Sequence, residues 1–298
     1  MIRRPPRSTL SSSSAASDVY KRQEKTFLNK PGIALLISDT MSDGEIETRL
    51  RKPLELTYER VGMTLSSPLV ALRADSGDPE KFASLAEKAK STGLAIILMS
   101  ERPDVLSAAA RACADSKPLL YAATKDNADL VAAIAKEFCC PVAARADSLE
   151  DLPALTSQLA AAGLKEIVID NGARTLSRAY QDQVVIRSAA LGKNRAVGYP
   201  TIVFPCEMTA DPMKEAMIAS VFIAKYAGII VLSDFSGESL FPLLVERLNI
   251  YTDPQRPLAT KQGIYEIGSP DENSPLLVTS NFSLTYFIVS GEIENSKV

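Results

Sequence analysis

Eight short runs of apolar and β-branched residues recur along the sequence, and nearly every gap between them has helical periodicity. The segment Pro79–Ser91 is typical, because Phe82, Leu85 and Ala89 fall on one face of the predicted helix. Apolar strands that alternate with such helices pair in parallel and are buried on both faces. The predicted strands cover residues 33–37, 68–72, 94–98, 118–121, 141–144, 166–169, 201–204 and 228–232.

The number of strand–helix units distinguishes between two parallel folds. Eight units over about 220 residues match a closed (β/α)8 TIM barrel. The alternative is a doubly wound open sheet, but no strand is followed by the glycine-rich phosphate fingerprint of that fold. The sequence therefore predicts a TIM barrel of the α/β class. Further helices are predicted for residues 127–138, 149–162 and 211–226.

The charge balance argues against several classes of partner. The 298 residues carry a net charge of -3, the pI is near 5.3, and charges of both signs are interspersed. Such a chain has no basic face for nucleic acid or anionic lipid. No apolar run reaches the ~18 residues that a transmembrane helix needs. We expect a cytoplasmic protein that binds neither nucleic acid nor a membrane.

Two residue types limit the available chemistry. The sequence has no histidine, which excludes the commonest general base and metal ligand from this part of the protein. Its four cysteines, Cys113, Cys139, Cys140 and Cys206, lack the Cys-x-x-Cys spacing of a metal site and are expected to be reduced thiols. Any reaction must therefore use carboxylates, lysine, tyrosine or a bound cofactor.

The composition divides the chain into three parts. Residues 1–23 are basic and serine-rich, and they resemble translated sequencing-adapter sequence, with a transit peptide as the alternative. We expect this segment to be non-native or disordered and the barrel to occupy residues 24–247. Residues 248–298 are rich in turn formers and are expected to begin a second domain, which stops after a strand-like run at 284–289. Both ends of the chain look cut.

A polar rim is predicted beyond the carboxyl ends of the barrel strands, where barrel enzymes place their active sites. In a catalytic interpretation, Asp75 or Asp170 acts as acid or base and Lys125 forms a Schiff base. The alternative is that such residues cap helices and solvate the barrel mouth. The rim comprises Arg73, Asp75, Ser76, Ser100, Glu101, Thr124, Lys125, Asn127, Arg145, Asp170, Asn171, Glu207 and Asp234.

Several long strings resemble one known family. They are SGDPEKFA at 76–83, YAATKDN at 121–127, GYPTIVFPCE at 198–207 and KYAGIIVLSD at 225–234. Together with the segment that follows the barrel, they resemble the large (gamma) subunit of the corrinoid iron-sulfur protein of the acetyl-CoA decarbonylase/synthase complex, in the reductive acetyl-CoA pathway. The resemblance covers nearly everything from residue 27 to residue 298.

The resemblance implies a methyl-group carrier with a corrinoid (cobalamin) cofactor. Such a subunit has a domain with a 4Fe-4S cluster, a central barrel and a Rossmann-like corrinoid-binding domain. We expect this sequence to lack the cluster domain, because no cysteine precedes Cys113, and to contain only the beginning of the corrinoid domain. The implied partners are a small subunit that completes a heterodimer, a methyltetrahydrofolate methyltransferase and acetyl-CoA synthase.

The resemblance also implies corrin contacts in the strings TDPQRPL and NFSLT. Thr285 is the candidate residue beneath cobalt. The alternative is an ordinary strand in which Phe282, Leu284, Tyr286 and Ile288 form one face and Ser283 and Thr285 the other. The candidate contacts are Thr252, Leu258, Phe282, Ser283, Leu284 and Thr285.

Two other functions stay open at this point. In one, the barrel itself binds a pterin and catalyses methyl transfer, with Asp75, Asn127 and Asp170 hydrogen-bonded to the pterin ring. Alternatively, the barrel is a docking scaffold for the partner subunit and performs no chemistry.

Overall fold

The computed structural model describes residues 29–60, 63–251 and 258–296. Eight strands in these ranges form one sheet in which every neighbouring pair is parallel. Their order is β8-β7-β6-β5-β4-β1-β10-β9. They are β1 (Gly32–Ser38), β4 (Leu69–Arg73), β5 (Ala95–Met99), β6 (Leu119–Ala123), β7 (Val142–Arg145), β8 (Ile167–Asp170), β9 (Ile202–Val203) and β10 (Ile229–Leu232).

The two ends of this sheet meet and close it into a barrel. Ile169 in β8 forms a parallel bridge with Thr201, directly before β9. The Ile169 amide donates a hydrogen bond of 2.8 Å to the carbonyl of Pro200. The predicted closed barrel is therefore confirmed, and each of the eight predicted strands overlaps one of its strands.

Alternation along each strand explains why the apolar runs are continuous. In β1, Ile33, Leu35 and Ile37 pack with the helices in one core cluster. The intervening residues Ala34 and Leu36 belong to a second cluster, formed mostly by strand residues inside the barrel. Both faces of the strand are thus buried, as the parallel arrangement requires.

Helices follow most of the barrel strands and surround the sheet. The helix predicted at Pro79–Ser91 has those bounds, and the Asp78 side chain caps it by accepting from the Glu80 amide at 2.9 Å. None of the helices in the described part combines the length and apolarity needed to cross a bilayer. The helices are α1 (Asp43–Glu55), α2 (Pro79–Ser91), α3 (Pro103–Ala112), α4 (Ala128–Phe138), α5 (Leu152–Ala161), α6 (Leu176–Leu191), α7 (Pro212–Ala224), α8 (Gly237–Ile250) and α9 (Ser283–Ser296).

Two local structures differ from the sequence-based expectations. A short antiparallel hairpin of β2 (Tyr58–Arg60) and β3 (Met63–Leu65) lies between α1 and β4, and the periodicity did not indicate it. The strand-like interpretation of residues 284–289 is wrong, because these residues lie in α9.

The reason for the error at 284–289 lies in the apolar spacing. Leu284, Phe287 and Ile288 recur at i, i+3 and i+4, which fits a helix, whereas the β-branched and aromatic composition favoured a strand. A strand also needs a neighbour to pair with. In the described residues, the pairing of this segment is limited to a single antiparallel bridge between Ala259 and Phe282.

Candidate functional site

Arg174 lies across the carboxyl-terminal mouth of the barrel. It follows β8, and its guanidinium donates to both carboxylate oxygens of Asp170, from Nη1 at 3.2 Å and from Nη2 at 2.8 Å. Nη2 also donates to the Tyr121 hydroxyl at 3.1 Å, and this hydroxyl donates to Asp170 at 2.7 Å. Asp170 is 1% exposed, so its bonds to Arg174 and Tyr121 are largely desolvated, and the bond to Tyr121 joins β8 to β6.

The Arg174 guanidinium also contacts a second carboxylate, which links it to further charged residues around the mouth. Its Nε donates to Glu207 after β9, and the other Glu207 oxygen lies 3.7 Å from Arg73 at the end of β4. Arg73 pairs with Asp75 at 2.9 Å, and Asp75 accepts from the Ser38 hydroxyl at the end of β1. We call these linked residues the rim network: Ser38, Arg73, Asp75, Tyr121, Asp170, Arg174 and Glu207.

Two members of the rim network, Arg174 and Tyr121, have pKa values that differ from their usual values. Burial alone would lower the pKa of Arg174, but its hydrogen bond to Asp170 and the charge of that carboxylate raise it. The pKa of Tyr121 is well above its usual value because the side chain is buried and faces Asp170. Tyr121 therefore remains a neutral phenol that donates to a carboxylate, and it cannot act as a phenolate base near neutral pH.

The Phe204 ring, inside the barrel, contacts two members of the rim network. The Arg174 guanidinium carbon lies 4.5 Å from the centre of the Phe204 ring, which Tyr121 contacts edge-on at 5.3 Å.

Cys206 follows Phe204 by two residues in the sequence. Burial, together with the Glu207 and Glu215 carboxylates, raises the pKa of its thiol to about 12, so Cys206 is not a nucleophile at neutral pH.

The residues predicted to act as catalysts are separated or already engaged. Asp75 and Asp170 each accept hydrogen bonds within the rim network, and Lys125 is exposed outside it. Asn127 accepts from the Thr124 amide at 2.7 Å and donates to the carbonyls of Glu101 and Ala122. Its amide therefore orders the loop after β6.

Other predicted rim residues form separate pairs. Arg145 at the end of β7 pairs with Glu101 after β5, and Asp234 after β10 pairs with Lys52 of α1 at 2.7 Å. The sequence analysis missed Arg174, Tyr121 and Ser38. Of these, Arg174 carried a signal, since it stands four residues after a carboxylate that ends a strand.

The predicted corrin contacts lie together at the far end of the chain, apart from Thr252, which is outside the described residues. The Ser283 amide donates to the carbonyl of Leu258 at 2.9 Å, which places the two strings side by side at the start of α9. Phe282 and Leu284 are 50% and 70% exposed, and Thr285 is half-buried. We call this face, formed by Leu258, Phe282, Ser283, Leu284 and Thr285, the α9 face.

Ser283 is the unusual member of the α9 face. Its side chain is buried, and its hydroxyl has no hydrogen-bond partner within the described ranges. A buried hydroxyl without a partner costs free energy, so this position fits a group that adds an acceptor or donor. The first turn of α9 adds amide N–H groups that have no partner within the helix.

Comparison with solved structures establishes the class of the fold. Dihydropteroate synthase from Thermus thermophilus superposes with a TM-score of 0.54 at 14% identity, over 75% of this chain and 94% of that chain. A truncated 3-deoxy-D-arabino-heptulosonate 7-phosphate synthase from Thermotoga maritima gives a TM-score of 0.50 at 15% identity, over 74% of this chain and 88% of that chain. At these identities the similarity shows the fold alone, and the protein is a TIM barrel.

Sequence comparison places the chain more narrowly. A model of the CO dehydrogenase/acetyl-CoA synthase delta subunit family matches residues 16–298, and the chain belongs to this family. The corrinoid/iron-sulfur protein large subunit of Moorella thermoacetica is 42% identical over 279 residues, 93% of this chain and 62% of that protein. The acetyl-CoA decarbonylase/synthase complex subunit gamma of Methanopyrus kandleri is 35% identical over 94% of this chain and 63% of its own length.

These relatives confirm the resemblance to large or gamma subunits. The chain spans 62% and 63% of their lengths. The family match begins inside the segment 1–23, and the division into 1–23, 24–247 and 248–298 stays a prediction.

Proposed function

We propose that the chain is part of a methyl-group carrier. It accepts a methyl group from methyltetrahydrofolate or a related pterin through a separate methyltransferase and delivers it to acetyl-CoA synthase. The family membership carries this proposal, because the relatives bear the names of a corrinoid/iron-sulfur protein and of an acetyl-CoA decarbonylase/synthase subunit. The proposed partners are a small subunit that completes a heterodimer, the methyltransferase and the synthase.

The α9 face is the proposed start of a Rossmann-like corrinoid-binding domain. A corrin ring has apolar faces and amide-bearing edges, so its pocket needs apolar contacts beside a few hydrogen-bonding groups. Phe282 and Leu284 supply exposed apolar surface, and the Ser283 hydroxyl and the first-turn amides supply polar groups. Thr252 and Leu258 are the proposed contacts from the preceding string. A 4Fe-4S cluster is proposed for the full-length protein, outside these residues.

When bound, the corrinoid supplies a cobalt nucleophile, so the polypeptide has to provide only binding, orientation and electrostatics. A chain whose 298 residues include no histidine is suited to this role. Thr285 would hold the corrinoid near its metal, and its hydroxyl would bind the metal far more weakly than an imidazole would. The half-buried position of Thr285 in the first turn of α9 supports this placement.

The proposed site is tested by Thr285→Ala in the polypeptide extended to the length of its relatives and purified with its small subunit. We expect corrinoid to be retained about fivefold more weakly, which corresponds to one lost hydrogen bond of about 1 kcal/mol. The visible spectrum and the Co(II)/Co(I) potential should also shift. Ser290→Ala on the same helix is the matched control, since the Ser290 hydroxyl bonds the Phe287 carbonyl. A spectrum and potential identical to those of the unmodified protein would show that Thr285 is misplaced.

The rim network bears on the pterin-binding alternative. That function requires Asp75, Asn127 and Asp170 to have free hydrogen-bonding groups that face a ligand. All three side chains are bonded to neighbouring protein groups, and Arg174 lies over the mouth. A pterin would have to displace at least one ion pair with a buried carboxylate, which is costly. The carrier function therefore agrees better with this geometry, and the barrel serves as a scaffold.

A further inference from the structure

We propose that the amino-terminal end of the barrel holds a binding site for a phosphate-class oxyanion, formed by Arg247 and Lys30. This end lies opposite the rim network. The inference does not depend on the proposed carrier function.

Arg247 reaches the amino ends of two barrel strands from α8. Its Nη1 donates to the carbonyl of Pro31, directly before β1, at 3.0 Å. Its Nη2 donates to the carbonyl of Ser66, shortly before β4, at 2.7 Å. A guanidinium has five N–H donors in a planar fork, so most of its donor capacity remains for a ligand. These two bonds fix the plane and direction of the fork.

Among the residues that the structure describes, no carboxylate neutralises the positive charge at this point. Within the described residues, neither Arg247 nor Lys30 has a carboxylate within 4.0 Å. Burial lowers the pKa of Arg247 to about 10, which is the opposite of Arg174, where Asp170 offsets the same effect. Carbonyl groups alone thus leave a partly buried cation without a counter-charge.

Lys30 adds a second cation beside the first. It directly precedes Pro31, whose carbonyl accepts from Arg247, and it is exposed to solvent. Burial of its stem and the nearby Arg247 charge lower its pKa. Two like charges that repel each other at one spot favour an anion that contacts both.

The side chains of Arg247 and Lys30 indicate which class of ligand the site would bind. A planar guanidinium fork matches two oxygens of one phosphoryl group, and a mobile ammonium matches a third oxygen as a point charge. Two positive charges also balance the charge of a phosphate dianion better than that of chloride. The source is either free inorganic phosphate or the phosphate monoester of a small molecule.

The test compares the melting temperature of the intact chain in inorganic phosphate and in chloride at equal ionic strength. We expect the melting temperature to rise with phosphate concentration and not with chloride, because a ligand that binds only the folded state stabilises it. A parallel titration with methyl phosphate distinguishes the sources. An equal rise indicates a site open to monoesters, and a rise with inorganic phosphate alone indicates a closed site.

Substitutions locate the site. Lys30→Met should weaken phosphate binding about tenfold, as expected for the loss of one charge-assisted contact. Lys136→Met, at an exposed position of α4, is the matched control and should bind as the unmodified chain does. Arg247→Met also loses the two carbonyl contacts that join α8 to the strands, so its effect on folding is not separable from binding, and Lys30→Met decides the question. Equal melting temperatures in phosphate and chloride, or full affinity in Lys30→Met, would overturn the proposal.

Discussion

Replacing Arg174 with methionine is expected to lower the free energy of unfolding by about 3 to 5 kcal/mol, the range for breaking a buried ion pair from one side. The substitution leaves Asp170, which is 1% exposed, without its cation and removes the link to Glu207. The long apolar side chain of methionine preserves contact with Phe204, so the loss reflects charge. Urea denaturation with an unchanged m-value measures it.

Two further variants test whether the stability lost in Arg174→Met comes from the buried ion pair. Arg51→Met removes the exposed pair between Arg51 and Glu47, which lie 3.8 Å apart, and should cost about 0.5 kcal/mol or less. The double variant Arg174→Met/Asp170→Asn should lose less than the sum of the two single losses, because the neutral amide no longer needs a cation. A loss in Arg174→Met no larger than that in Arg51→Met would mean that the rim network does not hold the barrel mouth.

A large loss is also expected for Gly172→Ala in the loop after β8. Gly172 has a φ of +69°, and an added Cβ would lie 2.8 Å from the carbonyl oxygen of Ala146 and 3.1 Å from the Cα of Asp147. The methyl group therefore meets backbone that cannot move without shifting the neighbouring loop. The left-handed backbone and the overpacking together should cost about 2 to 5 kcal/mol, measured by urea denaturation.

Gly163→Ala separates the two contributions to this loss. Gly163 has a φ of +92°, but an added Cβ meets nothing within 4 Å. We expect a loss of only about 1 to 2 kcal/mol, from backbone strain alone. Equal losses at Gly163 and Gly172 would show that the close approach to Ala146 is unimportant.

The barrel could be predicted from the sequence because its signal is local and repeated. Each run, such as residues 33–37, is apolar on both faces, as a parallel strand buried on both faces requires, and the count of eight strand–helix units favoured a barrel. The signals for the first residues of helices are also local, since Asp78 and Asp211 each cap a helix whose first residue is proline. The small hairpin of β2 and β3 had no such repetition.

The rim network could not be predicted because closure of the barrel creates it. Asp170 and Glu207 follow different strands, and only the bridge between Ile169 and Thr201 brings their strands together. Sequence analysis could place carboxylates at the mouth but could not show that Arg174 pairs with both. The structure of the α9 face was harder to predict. The composition of residues 284–289 favoured a strand, and the apolar residues with helical spacing were too few to outweigh it.

The rim network and the α9 face together support the division of labour in the proposed function. The barrel mouth is bonded within itself, whereas the start of α9 carries the exposed side chains of Phe282 and Leu284 and the Ser283 hydroxyl, which has no partner among the described residues. Chemistry at a cofactor held outside the barrel requires no catalytic side chain at the mouth. In the proposed function, the barrel has to provide only stability and a docking surface.

The most direct measurement is methyl transfer from radiolabelled methyltetrahydrofolate to the corrinoid-loaded, full-length protein with its small subunit, with and without the methyltransferase. The carrier account predicts that label reaches the protein only when the methyltransferase is present, and that Asp170→Asn does not change this dependence. Label transferred at a comparable rate without the methyltransferase, and lost in Asp170→Asn, would show that the barrel is itself the enzyme.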